Sequence, residues 1–368
     1  KDIGKLGFGL MRLPMDGDEV DIGQTINMVD LFMKKGFTYF DTAYGYIGGK
    51  SELAAGKALV ARYPRESFQL ATKLPAWLGP KTAQEAEAMF WTSLERTGAG
   101  YFDFYLLHNL GAGRTEAFDK FGTWDFLREQ KREGRIRHLG FSLHASAEYL
   151  DKMLTLHPDM EFVQLQINYA DWDSTTVQSR KCYEVARKHG KPVIVMEPVK
   201  GGALAKLPAA AAGILAKANP GASLPSWAIR YAASLDGVIT VLSGMSAIEQ
   251  MEDNLSYMER LEPLGAGERE RIAEVQRILA GIPQVPCTDC QYCMDGCPKN
   301  VAIPGTFRLM NDYLVYRDAA RVRGSYVFET RNFAKASECI ACGQCEAVCP
   351  QGIAIVEELS KAAAVLEA

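Results

Sequence analysis

A chain of 368 residues with 48% hydrophobic and 23% charged side chains has the make-up of an ordinary water-soluble protein, long enough for one large domain and one small one. Its formal net charge of −4, with no basic stripe, argues against nucleic acid as a partner, and no run of about 18 apolar residues is present to span a bilayer. The first residues, KDIGKLGFGLMRLP, lack the apolar stretch of an export signal, although a start at Lys1 leaves room for residues trimmed ahead of it.

From the N-terminus, short β-rich runs alternate with longer amphipathic stretches. Strands are expected near Lys5 to Leu10, Thr38 to Asp41, Phe68 to Lys73, Phe102 to His108, Ile136 to Phe141, Phe162 to Ile167, Pro192 to Met196 and Val238 to Leu242. Helices are expected at Ile22 to Lys35, Glu52 to Ala61, Ala83 to Thr97, Glu116 to Glu133, Ala147 to Leu156, Val177 to His189, Pro225 to Ser234 and Ile248 to Arg260. Eight such units predict an α/β fold, a (β/α)8 TIM barrel whose usual length of about 250 residues ends near Leu261. The Ala-, Gly- and Pro-rich stretch from Gly201 to Gly221 is expected to be a loop and an Ala-rich helix on the βα face after the seventh strand. Glu268 to Leu279 forms one further helix, and GIPQVP, Gly281 to Pro286, then breaks the chain. The expected organisation is a barrel over 1–265, a linker helix over 266–285 and a second, smaller domain over 286–368. Phe307, Met310, Tyr313 and Leu314 fall at helical spacing there, so that domain is expected to be mostly helical.

The cysteines of the second domain, 286–368, mark it as a ferredoxin-like 4Fe-4S domain. Eight of the nine lie in two copies of one pattern, Cys287-x2-Cys290-x2-Cys293-x3-Cys297-Pro298 and Cys339-x2-Cys342-x2-Cys345-x3-Cys349-Pro350, the bacterial ferredoxin spacing for cubic iron-sulfur clusters. Three thiolates of one short loop wrap three irons of a cube, and the fourth cysteine reaches across to the other cube. Two 4Fe-4S clusters are thus expected, one on Cys287, Cys290, Cys293 and Cys349, the other on Cys339, Cys342, Cys345 and Cys297. Gly296 and Gly343 are the small residues where the backbone should bend around each core. Zinc is the rival, but four thiolates per ion give no reason for the repeated x3-Cys-Pro ending. Clustered thiols already committed to metal imply a reducing cytoplasm, and Cys182, outside both runs, is expected to be a buried small hydrophobe.

On the barrel, polar residues at the C-terminal ends of strands are expected to build the active site. Asp41 ends the second strand, Tyr46 follows it, Lys73 ends the third and His108 the fourth. An ammonium beside a phenol stabilises the phenolate and should lower its pKa. Asp41 would hold Lys73 protonated, His108 would donate to an oxygen gaining charge, and Tyr46 would protonate it.

With those residues in place, the sequence resembles the aldo-keto reductase family over about residues 1 to 260. The matching pieces are GFGLMRLP, DTAYGY, ATK at Lys73, LLH at His108, GFS at Ser142, QINY at Gln166 and EDN at Asn254. The whole chain resembles the branch of that family with a C-terminal dicluster ferredoxin domain. The resemblance implies hydride from a nicotinamide cofactor, NADH or NADPH, with Tyr46 as general acid and Ser142 and Gln166 at the nicotinamide carboxamide. Lys200, Gly201 and Gly202 could receive the pyrophosphate on backbone amides. The sequence departs from the family at Met196, where many members stack an aromatic ring, and at Leu143, where they carry asparagine. The stretch VLSGMSAIEQMEDNL, where the family clamps the 2′-phosphate, has no basic residue, so the expectation leans to NADH.

Four other features have plainer readings. His144 is expected to make a structural hydrogen bond, and KREGRIR, Lys131 to Arg137, to complement a helix end. Trp77 and Trp172 divide evenly between lining a substrate pocket and ordinary packing. The functional expectation is an oxidoreductase acting on a small-molecule carbonyl, with clusters that pass electrons to a redox partner protein or stabilise the tail, and with neither nucleic acid nor membrane as partner. Hydride carries two electrons and a cube one, and no flavin motif is present to couple them. The alternative is a ferredoxin-linked electron-transfer protein whose barrel binds a substrate or partner without nicotinamide turnover.

Overall fold

The computed structural model describes residues 3–111, 113–287 and 289–368. The chain divides into two compact units: the residues up to Gly201 with Ala222–Ala266, and Gly202–Gly221 with Gly267–Ala368.

In the first unit the strands are β1 (Leu6–Gly9), β2 (Met15–Asp16), β3 (Glu19–Val20), β4 (Tyr39–Asp41), β5 (Gln69–Leu74), β6 (Phe102–Leu110), β7 (Ile136–Leu143), β8 (Phe162–Gln166), β9 (Val193–Met196) and β10 (Val238–Gly244). β1 and β4 to β10 are parallel and close into a barrel in the order β1-β10-β9-β8-β7-β6-β5-β4. The pair β2 and β3 is a small antiparallel hairpin that the sequence did not announce, because two-residue strands carry no period.

The helices between them are α1 (Ile22–Lys34), α2 (Lys50–Ala55), α3 (Ala83–Thr97), α4 (Thr115–Lys120), α5 (Thr123–Arg132), α6 (Ala147–Leu156) and α7 (Ser179–Lys188). α8 (Ala209–Ala218) belongs to the second unit, and α9 (Leu224–Ala233) and α10 (Ile248–Met258) complete the barrel. Side-chain caps set several starts: Asp21, Thr82 and Ser146 each accept from the backbone N–H three residues on. The single helix expected over Glu116 to Glu133 is two, because Gly122 takes φ +62° between α4 and α5. The helix expected over Glu52 to Ala61 is α2 followed by a wider π-helical turn, Gly56–Val60.

Register explains how the strands aim their ends. Asp41 pairs with Ala71, and Lys73 lies two residues further on the same face of the pleat. Lys73 pairs with Leu106, and His108 lies two further again. On the opposite side Ser142 pairs with Gln164, two residues before Gln166. This constant stagger is the shear that closing eight tilted strands requires. Below these residues the interior is plugged by Tyr39, Ala71, Phe104, Leu106, Phe162, Ile194 and Leu242. Phe104 meets Phe162 and Tyr39 edge-on with centroids 5.1 and 5.2 Å apart.

The second unit contains α8, α11 (Ala266–Ala280), α12 (Tyr292–Asp295), α13 (Ile303–Tyr316), α14 (Ala319–Glu329), α15 (Gln344–Ala347) and α16 (Ile355–Leu366). α13, α14 and α16 pack together around Phe307, Met310, Val322, Tyr326 and Leu359, and two cysteines, Cys293 and Cys345, are buried in the same core. Pro304 opens α13, where its missing N–H costs nothing. Asn311 clamps the segment before the first cysteine, accepting from Val285 N at 2.7 Å and donating to Val285 O at 2.9 Å.

Candidate active site

Tyr46 is carried by a loop that glycines shape. Ile47, Gly48 and Gly49 all have positive φ, and at Gly49 the φ of +91° is one that glycine takes without strain, with the Arg96 guanidinium packed 2.8 Å from where a Cβ would stand. Arg96 in turn donates to Tyr44 O at 2.9 Å and to Glu52 Oε2 at 3.2 Å, and Glu52 also accepts from Thr72 at 2.7 Å. Glu52 and Arg96 thus tie the Tyr46 loop to β5. The only sequence signal for this tie was a carboxylate among the core positions Ser51, Ala54 and Ala55 of α2.

The four expected residues meet at one rim of the barrel. Lys73 is 0% exposed and Asp41 2%; Lys73 Nζ donates to Asp41 Oδ1 at 2.5 Å, to Thr42 O at 2.8 Å and to Tyr46 Oη at 3.3 Å. The Tyr46 ring stands edge-on to His108, with centroids 5.7 Å apart at 79°. Trp77 lies beside the same imidazole, 6.1 Å away, and donates its indole N–H to His108 O at 2.7 Å. Trp172 instead packs on Tyr183 and Tyr231.

Electrostatics adjust the expectation for Tyr46. Burial pushes its phenol up, and the Lys73 ammonium pulls it down without cancelling that push, so the group stands above its ordinary value rather than below it. Burial pulls Lys73 down, but the Asp41 carboxylate and Tyr46 more than restore it, so the ammonium is firmly protonated. Burial raises Asp41, with Lys73 opposing. His108 is driven well below the usual imidazole range by burial, then by the charges of Lys73, His144 and Arg114, so it is neutral at ordinary pH.

The residues expected at the cofactor fall into three groups. Ser142 Oγ accepts from Asn109 N at 2.8 Å, which leaves its O–H to donate. Gln166 donates its amide to Asp171 Oδ2 at 3.1 Å, and Lys200 pairs with Asp171 Oδ1 at 2.8 Å, so a carboxylate that the sequence did not single out joins the two. Lys200, Gly201 and Gly202 are consecutive positive-φ residues. Asn254 is buried; its amide nitrogen donates to Ser243 Oγ at 2.9 Å and so ties α10 to β10, while its oxygen accepts from Tyr257 one turn on in the same helix at 2.5 Å. Arg12, also unforeseen, lies with its side chain against Gly244 and its guanidinium 3.5 Å from where a Cβ on Gly201 would stand.

The plainer readings find their partners. Cys182 is buried, its thiol pushed up to about 11 by desolvation. In KREGRIR, Lys131, Arg132, Arg135 and Arg137 pair with Glu161, Glu129, Glu133 and Asp103.

In the second unit the thiols surround two cavities. Cys287, Cys290, Cys293 and Cys349 line one; Cys297, Cys339, Cys342 and Cys345 line the other; Ile303 borders both. The two loops are built alike. The second and fourth residues after the first cysteine are left-handed in both, Asp289 and Gln291 at φ +58° and +69°, Ala341 and Gly343 at +54° and +73°. The bend expected at Gly296 therefore falls at Gln291, and Gly296 itself has φ −96°.

Comparison with known proteins agrees with both units. Residues 5–277 match the model of the Aldo/keto reductase family, and residues 286–354 match that of the 4Fe-4S dicluster domain. The chain is 27% identical to a probable aldo-keto reductase 1 of Glycine max over 209 residues, 55% of this chain and 57% of that protein. It is 25% identical to an L-galactose dehydrogenase of Arabidopsis thaliana over 296 residues, 75% of this chain and 91% of that one. The holo form of an aldo-keto reductase from Bacillus halodurans superposes with a TM-score of 0.61 at 25% identity, covering 75% of this chain and 95% of that one. With a closed eight-stranded parallel barrel and a family match over most of its length, this chain belongs to the aldo/keto reductase family and carries a 4Fe-4S dicluster domain towards its C-terminus.

Proposed function

We propose that the barrel reversibly reduces an aldehyde or ketone with hydride from NADH or NADPH, with Tyr46 as general acid, and that the second unit holds two 4Fe-4S clusters. The observation that carries the reading is the contact of Tyr46 Oη with an ammonium that is itself locked by Asp41. The nicotinamide, when bound, supplies the hydride. Everything else falls to this chain. A phenol raised by burial is still protonated when the substrate arrives, as a proton donor must be. As the carbonyl π pair moves onto oxygen, that oxygen takes the Tyr46 proton, and the Lys73 charge stabilises the tyrosinate until water reprotonates it. Neutral His108 is suited to donate an N–H to the same oxygen without competing as an acid.

The residues present fit a nicotinamide. Ser142 has an O–H to give to the carboxamide carbonyl, and Gln166, with its amide nitrogen held by Asp171, has its carbonyl oxygen to accept from the carboxamide NH2. NADH is the expected preference, since the 244–255 stretch brings no cation of its own, although Arg12 supplies one beside Gly244. Two cavities, each bordered by four thiols, fit two cubes that exchange single electrons with a redox partner.

Tyr46→Phe tests the reading. In anaerobically purified protein it should abolish NAD(P)H-dependent carbonyl turnover, by about 10²-fold or more in kcat, while NADH still binds. Turnover within a few-fold of wild type would refute the role, and NADH that binds without ever being oxidised, in either protein, would favour an electron-transfer barrel.

A further inference from the structure

The rim carries a cation that this chemistry leaves unused. Arg114 follows β6, the strand that carries His108 and Asn109 just before its end, and turns back on it: its Nε donates to Asn109 O at 2.9 Å, and Nη2 lies where a Cβ on Gly111 would be 2.6 Å away. Arg114 is half-buried, and among the described residues that is the one hydrogen bond its side chain makes; the Tyr149 phenol lies within electrostatic reach, and no carboxylate pairs with it. Other half-buried arginines of this barrel are answered, Arg65 by Asp103 and Arg96 by Glu52. A guanidinium has five N–H donors, and among the described residues only Nε has a taker. Asn109 Oδ1 and His108 Nδ1 nearby are also buried without a hydrogen-bond partner among the described residues. The charge of Arg114 is felt at His108 together with that of His144, and whereas Lys73 is neutralised by Asp41, Arg114 is not.

We propose that Arg114 binds the carboxylate of an oxo-acid substrate, whose carbonyl oxygen meets Tyr46 and His108. This deepens the carbonyl-reductase reading and rests on it. Desolvating a cation is costly unless an anion arrives to pair with it, and the planar fork of arginine matches a carboxylate in two parallel hydrogen bonds. Such a site positions the carbonyl as well as selecting the substrate, because the anion is anchored on the loop that leaves the His108 strand.

The test compares 4-carboxybenzaldehyde with its methyl ester, which keeps the ring and the aldehyde and removes the charge. With wild-type holoprotein, kcat/KM should favour the acid by about 10- to 100-fold, mostly in KM, the scale of one charge-assisted pair. In Arg114→Gln the acid-to-ester ratio should fall towards one, and Arg114→Lys should restore part of it. Because the readout is a ratio within each variant, a loss of folded protein cancels. A wild-type ratio near one, or one that survives Arg114→Gln, overturns the proposal. Should neither compound be reduced with either nicotinamide, the carbonyl-reductase reading fails by itself. Calorimetric binding of the same two compounds to the NADH-loaded chain then decides the carboxylate site: a preference for the acid that Arg114→Gln removes sustains it, and equal binding sinks it.

Discussion

A buried ammonium persists only when its charge is answered, and at Lys73 the answer is Asp41 at 2.5 Å with both side chains out of solvent. Asp41→Asn leaves the cation uncompensated and should cost about 3–5 kcal/mol, whereas the double variant Asp41→Asn, Lys73→Met should cost less than that single change. Urea midpoints of the three proteins measure it; a double variant weaker than Asp41→Asn would contradict the pairing. His108 gives a pH dependence of definite sign. Its folded-state value lies well below the ordinary imidazole value, so the unfolded chain takes up a proton first as pH falls through about 6.5. The stability contributed by neutral His108 is full above that point and declines as pH drops towards the folded-state value. Wild type should therefore lose more stability than His108→Gln between about pH 7 and pH 5, and parallel losses would show that His108 does not titrate in this way. The identities of these side chains were legible in the sequence because strand ends and spacing expose them. The net direction at Tyr46 was not, because it is a balance between burial and one charge, and burial exists only in three dimensions.

At the level of elements, the two-residue stagger between neighbouring strands turns a list of strand ends into a site. Asp41, Lys73 and His108 share one face because each is displaced by one pleat period from its neighbour's partner. Maintaining that stagger on the far wall depends on Gly140. It pairs with Phe162, and a Cβ there would lie 2.4 Å from Phe162 O and 2.8 Å from its ring. Neither atom can yield easily, one being backbone and the other part of the plug that fills the interior. Gly140→Ala should destabilise the chain by about 1–3 kcal/mol, and an unchanged melting temperature would show that β7 and β8 can part without cost. All eight barrel strands were legible, since parallel buried strands are near-continuous apolar runs. Helix ends were less so. The break at Gly122 depends on a left-handed residue inside an otherwise periodic stretch, which the pattern alone does not separate from a tolerated helical glycine.

On the scale of the whole molecule, the two units are stabilised differently. Among the described residues, two apolar cores of the barrel are built from residues between Leu6 and Met258, and none of their buried members is one of the eight clustered cysteines. The core of the second unit contains Cys293 and Cys345 and is flanked by Cys287, Cys297, Cys339 and Cys349. The cysteine runs were plain in the sequence, but the assignment of Gly202–Gly221 to this unit was not, because chain order places that stretch between two barrel strands. Since thiolates bordering the two cavities repel one another and desolvate poorly unless metal holds them, iron is expected to be a folding ligand for this unit alone. Anaerobic chelation of the full chain should raise amide exchange across α13, α14 and α16 while leaving β4 to β8 protected; loss of protection in both would mean that the barrel also needs the clusters. The crossing of the fourth ligand makes a sharper demand. Cys349→Ala should disturb only the cube bordered by Cys287, Cys290 and Cys293, and Cys297→Ala only the cube bordered by Cys339, Cys342 and Cys345, although each substitution lies in the other loop. Pairing each variant with Cys290→Ala or Cys342→Ala separates the outcomes. If the ligands cross, Cys349→Ala with Cys290→Ala damages one cube and leaves the iron and the paramagnetic resonance signal of the second intact; if they do not, the same pair damages both.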